Sequence, residues 1–256
     1  MNTASTGSRR IAYVHDESED GKTVLYVHGS GGSHELWSAQ RRLAERPTAA
    51  LDLSGHGDSE DIDAEPGYTT LSAYADDALA VAEATDADVL VGSSLGGAVA
   101  LHLLVERADW SPDAVVLAGT GARMGVLSDL LDWLEEDFER ALEFLHGPDR
   151  LFHDPDERAV ERSKAKMRAC GQKVVRRDFL TCHRFDVRDR LGEIDVPVLA
   201  VYGERDQLTP PWYHEYIAEE VPEGSLAAVP EAAHLAMVER PRAFADRVEA
   251  FLADVE

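Results

Sequence analysis

The sequence predicts an α/β fold, in which a mostly parallel central sheet has helices on both faces and carries an inserted helical cap. Short β-branched and apolar runs alternate with amphipathic stretches, which is typical of parallel strands joined by crossover helices. The alternation stops over 122–190, where the chain has a helical pattern, is rich in charge and shows no clear strand. We therefore expect one sheet-based core interrupted by a helical insertion.

The elements can be assigned in order along the chain. We predict a strand at 23–27, a helix at 33–45, a strand at 48–53, a helix at 70–84, a strand at 89–91, a helix at 98–107, strands at 114–118, 196–202 and 226–229, and a helix at 241–253. The last helix has proline at its first position, where a missing N–H group costs nothing. Because 256 residues are near the upper limit for one hydrophobic core, we assign 1–121 and 191–256 to a single core and 122–190 to the cap.

Composition excludes several classes of function. Asp and Glu number 49 against 25 Lys and Arg, so the formal charge is -24, which excludes nucleic acid as a partner. No apolar run is long enough to span a membrane, and the N-terminal segment lacks the apolar centre of a signal peptide, so we expect a cytoplasmic protein. We expect Cys170 and Cys182 to be free thiols and, without clustered His or Cys, we expect no metal.

The charge also has a consequence for the solvent in which the protein works. Lysine occurs only four times, at 22, 164, 166 and 173, while arginine supplies the other cations. This composition resembles that of salt-adapted cytoplasmic proteins. We therefore expect a halophilic protein from a salt-rich cytoplasm, the alternative being an ordinary acidic protein whose charge only aids solubility.

A glycine-rich turn offers a candidate nucleophile. Gly92-Ser93-Ser94-Leu95-Gly96 fits the pattern G-x-S-x-G, and it lies between a predicted strand and a predicted helix, as that pattern requires. The glycines are placed symmetrically about Ser94, which favours Ser94 over the adjacent Ser93. A nucleotide-binding turn is the alternative, but the chain has neither G-x-G-x-x-G after its first strand nor a Gly-Lys-Ser/Thr phosphate loop.

With this turn, the chain resembles the α/β-hydrolase family over nearly its whole length apart from the cap. The resemblance rests on His28–Gly32, Asp52–Ser59, the turn around Ser94 and Gly203–Asp206, in the family's order. It implies that Asp206 is the acid and His234 the base of a catalytic triad with Ser94. Glu204 is the alternative acid, whereas His183 and His214 are poor rivals for the base because they lie in the cap and in a predicted helix.

A serine nucleophile also needs donors for the oxyanion that forms in the reaction. The backbone N–H groups of Leu95 and Ser30 are the expected oxyanion hole. Apolar residues recur at helical spacing in the cap, and we expect most of them to pack the cap onto the core. Trp133 and Phe138 from the cap, and Trp37 after the turn His28–Gly32, which we call the oxyanion turn, are candidate walls of the substrate pocket.

Together these features predict a serine hydrolase that cleaves small or medium carboxylic esters without a cofactor. A small-molecule ester is the expected partner, and the sequence leaves the oligomeric state open. Ser94 argues against dehalogenases and epoxide hydrolases of the family, which have aspartate at this position. Carbon–carbon bond hydrolases of the family keep the serine but typically have asparagine where this chain has Ser93. That activity and a slowly reacting ligand-binding receptor remain the alternatives.

Overall fold

The computed structural model describes residues 1–17, 21–107 and 110–255. Within these residues the strands form one sheet of eight, in the spatial order β1-β2-β4-β3-β5-β6-β7-β8. In chain order they are β1 (Asn2–Thr6), β2 (Arg9–Asp16), β3 (Thr23–Val27), β4 (Thr48–Leu51), β5 (Ala87–Ser93), β6 (Ala114–Ala118), β7 (Val198–Gly203) and β8 (Gly224–Val229). Strands β3 to β8 are parallel to one another, while β2 is antiparallel to β1 and to β4.

The helices lie on both faces of this sheet or between β6 and β7. In chain order they are α1 (Ser38–Leu43), α2 (Tyr68–Thr85), α3 (Leu95–Glu106), α4 (Ser128–Glu136), α5 (Phe138–Leu145), α6 (Glu157–Cys170), α7 (Gln172–Arg184), α8 (Pro211–Glu220), α9 (Ala236–Glu239) and α10 (Pro241–Val255). The predicted mostly parallel α/β fold is confirmed. No helix in the described part of the chain is both long and apolar enough to cross a membrane.

The central strands are buried on both sides, because side chains alternate between two apolar layers. Along β3, Leu25 and Val27 face the layer that contains α2, α3 and α8, while Val24 and Tyr26 face the layer that contains α9 and α10. Each residue of β3, β4 and β6 is buried. This double burial explains why these strands read as continuous apolar runs in the sequence.

The expected helical stretch between β6 and β7 contains α4 to α7. These four helices share a small apolar cluster of their own, whose buried members are Leu130, Leu134, Ala141, Leu142, Leu145, Met167 and Val175. The cluster is separate from the two layers on the sheet. We call residues 122–190 the inserted segment below.

Several predicted element boundaries were wrong or incomplete. The antiparallel strands β1 and β2 were not predicted, and the helix expected at 33–45 is a 3-10 turn at His34–Trp37 followed by the short α1. Helix α3 begins at Leu95, three residues earlier than predicted, because it starts immediately after the turn at Ser94. The other strands and helices for which the sequence analysis gave bounds lie at those positions, to within a few residues.

The sheet brings several loops to one edge. Strand β3 lies between β4 and β5, so the chain leaves β3 toward one side of the sheet and later crosses to the other. In parallel α/β sheets, ligands bind beyond the carboxyl ends of the strands near such a switch. The loops after β3, β5, β7 and β8, which carry Ser30, Ser94, Asp206 and His234, all leave from this edge.

Candidate active site

Ser94 occupies a strained turn between β5 and α3. Its backbone has φ 54° and ψ -114°, a region that non-glycine residues rarely adopt. A side chain on Gly92 would overlap the Gly96 carbonyl, and one on Gly96 would overlap the Val27 carbonyl, so both positions require glycine for the close approach of strand and helix. The turn sets Ser94 at the N-terminus of α3, beside the positive end of the helix dipole.

The two adjacent serines have different surroundings. Ser93 is the last residue of β5 and is completely buried, and its hydroxyl has no hydrogen-bond partner among the described residues. Ser94 is partly exposed and its side chain reaches the cavity described below. Its backbone N–H donates to the Ala118 carbonyl at 2.8 Å, which fixes the turn to β6. The geometry therefore favours Ser94 as the accessible hydroxyl.

Asp206 and His234 form a buried pair. Nδ1 of His234 lies 2.9 Å from Oδ2 of Asp206. Thr209 donates its hydroxyl to the same oxygen at 2.7 Å, and the backbone N–H groups of Leu208 and Thr209 donate to Oδ1. Burial alone would raise the pKa of Asp206, but the charge of His234 and these hydrogen bonds outweigh it and lower that pKa. Asp206 is thus held as an oriented carboxylate.

The rivals considered from the sequence lie elsewhere. Glu204 is exposed, so it lacks the shielded contact with an imidazole that Asp206 has. His183 accepts a hydrogen bond from the Val126 N–H at 3.2 Å, within the inserted segment. His214 is buried in α8 and accepts from the Thr120 N–H at 3.1 Å, and burial lowers its pKa to about 4. These contacts give both histidines structural roles.

The turn after β3 is held by His28. The Leu53 N–H donates to Nε2 of His28 at 3.0 Å, so that nitrogen is unprotonated and Nδ1–H donates to the Gly29 carbonyl at 2.8 Å. Burial lowers the pKa of His28 to about 4, as expected for a neutral ring in this arrangement. The Gly32 N–H donates to the same Gly29 carbonyl at 3.1 Å. The plane of the Gly29–Ser30 peptide is therefore fixed.

That peptide plane determines where the Ser30 N–H points. A trans peptide directs its N–H opposite to its C=O, so anchoring the Gly29 carbonyl to His28 turns the Ser30 N–H away from that ring. Gly29 packs against Ser94, because a Cβ on Gly29 would lie 3.0 Å from Cβ of Ser94. The second expected donor, the Leu95 N–H, belongs to the first residue of α3, where helix N–H groups have no intrahelical acceptor.

A cavity of about 870 Å³ joins these groups. Gly29, Ser30, Ser94 and His234 lie along its wall on the side of the sheet. The inserted segment supplies much of its apolar lining, including Leu127, Leu130, Phe144, Leu145, Met167 and Phe179. The structure therefore places a partly exposed serine, a histidine and the oxyanion turn around one mainly apolar cavity.

The aromatic side chains expected at the pocket wall lie outside it. Trp37 is fully buried on the other face of the sheet, where it stacks on Tyr26 with ring centroids 4.8 Å apart and packs near Phe244. Trp133 and Phe138 pack around the apolar cluster of the inserted segment instead of lining the cavity. The aromatic residue of α5 that does reach the cavity is Phe144, whose ring centroid lies 5.4 Å from that of Trp133.

The sequence interpretation also missed a buried carboxylate near this site. Asp178 is completely buried in α7 and contacts the oxyanion turn. Val174 and Val175 precede it by four and three residues, and Cys182 follows it by four, so Asp178 lies on the apolar face of its helix. The sequence signal was therefore a carboxylate at a position where the helical repeat predicts a buried apolar side chain. No group of three metal-ligating side chains is found among the described residues.

Comparisons with known proteins show the family that the chain resembles over most of its length. Residues 24–247 match the model of the alpha/beta hydrolase family. A pimeloyl-(acyl-carrier protein) methyl ester esterase of Neisseria meningitidis serogroup C is 31% identical over 244 residues, covering 88% of this chain and 91% of the relative. A solved thermophilic esterase has 30% identity and a TM-score of 0.81, covering 96% and 98% of the two chains. A hydrolase from Pseudomonas aeruginosa PA01 has 26% identity and a TM-score of 0.85, covering 98% and 97%.

Proposed function

This chain belongs to the alpha/beta hydrolase family and is an ester-cleaving hydrolase, and we propose that it works through an acyl-enzyme formed on Ser94. One observation supports this mechanism above the others. Ser94 stands in a strained turn at the wall of the same cavity as His234, and His234 is in turn oriented by Asp206. This is the arrangement that activates a serine hydroxyl, which is otherwise a weak nucleophile at neutral pH.

In the first half of the reaction, Ser94 Oγ attacks the ester carbonyl carbon. Nε2 of His234 takes the serine proton, while Asp206 stabilises the resulting imidazolium through Nδ1–H. The N–H groups of Ser30 and Leu95 donate hydrogen bonds to the negative oxygen of the tetrahedral intermediate. The alcohol leaves with the proton from His234, and the acyl group stays on Ser94 as an ester.

In the second half, water replaces the alcohol. His234 removes a proton from the water, the hydroxide attacks the acyl carbonyl, and the same oxyanion hole holds the second tetrahedral intermediate. Ser94 then regains its proton as the carboxylic acid is released. Neither half of the reaction requires an oxidant or a reductant, and water is the only co-substrate.

We propose that the substrate is a small or medium carboxylic ester. The cavity volume of about 870 Å³ and its apolar wall suit an unbranched or lightly branched hydrocarbon chain. The curated relatives at about 31% identity are named as esterases of a methyl ester, which also supports an ester with a small alcohol part. We further propose that 122–190 acts as the cap of this site, because α4 to α7 supply much of the apolar wall.

The direct test is turnover of p-nitrophenyl esters of increasing acyl length by the whole protein. Steady turnover is expected, whereas a single burst would indicate a receptor-like protein and would contradict the proposal. Ser94→Ala should lower kcat by about 10⁴- to 10⁶-fold. The kcat of Ser93→Ala should stay within about tenfold of that of the unchanged protein. A vinylogous diketone cleaved faster than any ester would instead establish carbon–carbon bond hydrolysis.

A further inference from the structure

Asp178 is a fully buried carboxylate in α7, outside the Ser94–His234–Asp206 group. It accepts three hydrogen bonds from residues of the core. The Gly31 N–H donates to Oδ2 at 3.2 Å, Nε2 of His56 lies 2.9 Å from the same oxygen, and the Tyr74 hydroxyl donates to Oδ1 at 2.8 Å. One side chain of the inserted segment thus joins the oxyanion turn to two other parts of the core.

The hydrogen bonds of His56 define its charge. Nδ1 lies 3.2 Å from the Ser54 carbonyl and Nε2 faces the Asp178 carboxylate, and both partners are acceptors. Both ring nitrogens therefore carry hydrogen, and His56 is an imidazolium paired with Asp178. Burial alone would lower the pKa of His56, but the charge and hydrogen bond of Asp178 raise it well above its ordinary value.

The contact with Gly31 matters because of its place in the turn. Ser30 lies between two peptide planes, and His28 already fixes the plane on its N-terminal side through the Gly29 carbonyl. The plane on its C-terminal side contains the Gly31 N–H, which Asp178 holds. The Ser30 N–H lies in the first of these planes. Holding the second plane as well restricts φ and ψ of Ser30, so the first plane cannot rotate on its own and change the direction of the Ser30 N–H.

The packing around Gly31 confirms how closely the inserted segment approaches the turn. Gly31 has φ +66°, and a Cβ there would lie 3.2 Å from both Met167 of α6 and Val175 of α7. Without Asp178, the Gly31 N–H would lose this acceptor in a buried position, which is unfavourable and favours a different turn conformation. The inserted segment and the oxyanion turn are therefore coupled at this position.

We propose that Asp178 is a positioning residue that holds the Ser30 N–H in the oxyanion hole through Gly31 and His56. It acts on the reaction from the inserted segment without touching the substrate. The oxyanion hole is then complete only when α7 is docked on the core. This inference rests on the proposed esterase function, because it assigns Ser30 to the transition state of that reaction.

The test replaces the carboxylate with its uncharged isostere, Asp178→Asn. Removing one oxyanion donor costs about 10²- to 10³-fold in kcat, so a misdirected donor should lower kcat by about 10- to 100-fold while KM stays within about threefold. A trifluoromethyl ketone analogue, which forms a tetrahedral oxyanion on Ser94, should lose affinity in parallel with kcat/KM. The amide analogue of the ester, which forms no oxyanion, should bind as in the unchanged protein.

Tyr74→Phe is the matched control. It removes the hydrogen bond to Oδ1 of Asp178 but leaves Oδ2 with Gly31 and His56. We expect kcat within about twofold of the unchanged protein even if the melting temperature falls. Equal losses of kcat in the two variants, or equal losses of affinity for the ketone and the amide, would show that Asp178 only supports the fold.

A second measurement applies to the unchanged protein and does not depend on whether Asp178→Asn folds. With ¹⁵N-glycine labelling, the Gly31 amide should exchange with deuterium far more slowly than the amide of the exposed Gly125. Equally fast exchange would mean that the contact with Asp178 does not persist, and the inference would fail. If the unchanged protein cleaves no ester, the proposed function fails instead, whatever the exchange result.

Discussion

Oδ2 of Asp206 lies 2.9 Å from Nδ1 of His234, with the side chains 0% and 5% exposed. Such a shielded pair can keep the imidazole in the tautomer that leaves Nε2 unprotonated, as a base for Ser94 requires. Thr209 adds a second constraint, since its hydroxyl donates to the same carboxylate oxygen. The other oxygen, Oδ1, accepts from the backbone N–H groups of Leu208 and Thr209, so the orientation of the base depends on Asp206 having two acceptor oxygens.

Asp206→Asn should lower kcat by about 10³- to 10⁴-fold with little change in KM, because an amide no longer enforces the tautomer or stabilises the imidazolium. Steady-state kinetics with a p-nitrophenyl ester measures this loss. Glu204→Gln is the control, since Glu204 is exposed and lies only two residues from Asp206 in the sequence. We expect its kcat to stay within about twofold of that of the unchanged protein. A large loss in the Glu204 variant and a small one in the Asp206 variant would identify Glu204 as the acid.

Gly96→Ala should destabilise the protein and reduce activity together. Its Cβ would collide with the backbone carbonyls of Val27 and His28, which cannot move as a flexible side chain could. Overpacking costs about 1–3 kcal/mol, and each kcal/mol lowers the melting temperature by about 2–4 °C in a chain of this size. We expect the melting temperature to fall by about 2–12 °C by calorimetry.

The control for that variant is Gly125→Ala. A Cβ on Gly125 would meet nothing within 4 Å, so the melting temperature should stay within about 1 °C of the unchanged protein's. If Gly96→Ala melted no lower than Gly125→Ala, the tight contact between the Ser94 turn and β3 would be absent.

His214 should make the protein less stable in mild acid. Burial lowers its folded-state pKa to about 4 from an ordinary 6.5, so the unfolded chain takes up a proton first as the pH falls. The stability contributed by neutral His214 is fully present above pH 6.5. Between pH 6.5 and 4 it is lost, and the free energy of unfolding falls by up to about 1.4 kcal/mol per pH unit. His214→Gln, which cannot titrate, should show a shallower fall in urea-unfolding free energy over this range. Identical slopes would contradict a neutral buried His214.

We propose that the protein is adapted to high salt, and its melting temperature should then rise between 0.1 and 3 M KCl. A formal charge of -24 gives strong repulsion among surface carboxylates. The screening length falls from about 10 Å at 0.1 M salt to about 3 Å at 1 M, which removes most repulsion between neighbours. Sucrose is the control for stabilisation by solvent exclusion alone. A melting temperature that stays flat in KCl would indicate an ordinary acidic protein.

The sequence carried enough information for the six parallel strands and for the glycine-rich turn at Ser94. Doubly buried parallel strands such as β3 have a strong apolar pattern, and the glycines around Ser94 are required by backbone contacts that permit no other residue. Strand β1 was not predicted, because an edge strand of mostly polar and exposed residues has no apolar pattern.

The pocket wall could not be predicted for a different reason. Helical spacing shows which face of a helix is apolar, but Trp133 and Phe144 are both apolar residues of adjacent helices, and only Phe144 reaches the cavity. The choice depends on how α4 and α5 pack together, which is a tertiary property. Trp37 was misplaced because the short turn His34–Trp37 directs it to the opposite face of the sheet.

Covalent labelling tests the central claim most directly. An organophosphate should react with the hydroxyl of Ser94 in the active protein, and peptide mass mapping should place a single adduct on that residue with complete loss of esterase activity. Ser94→Ala should remain unlabelled, while Ser93→Ala should be labelled as fast as the unchanged protein. An adduct on another residue, or full activity without an adduct, would contradict an acyl-enzyme on Ser94.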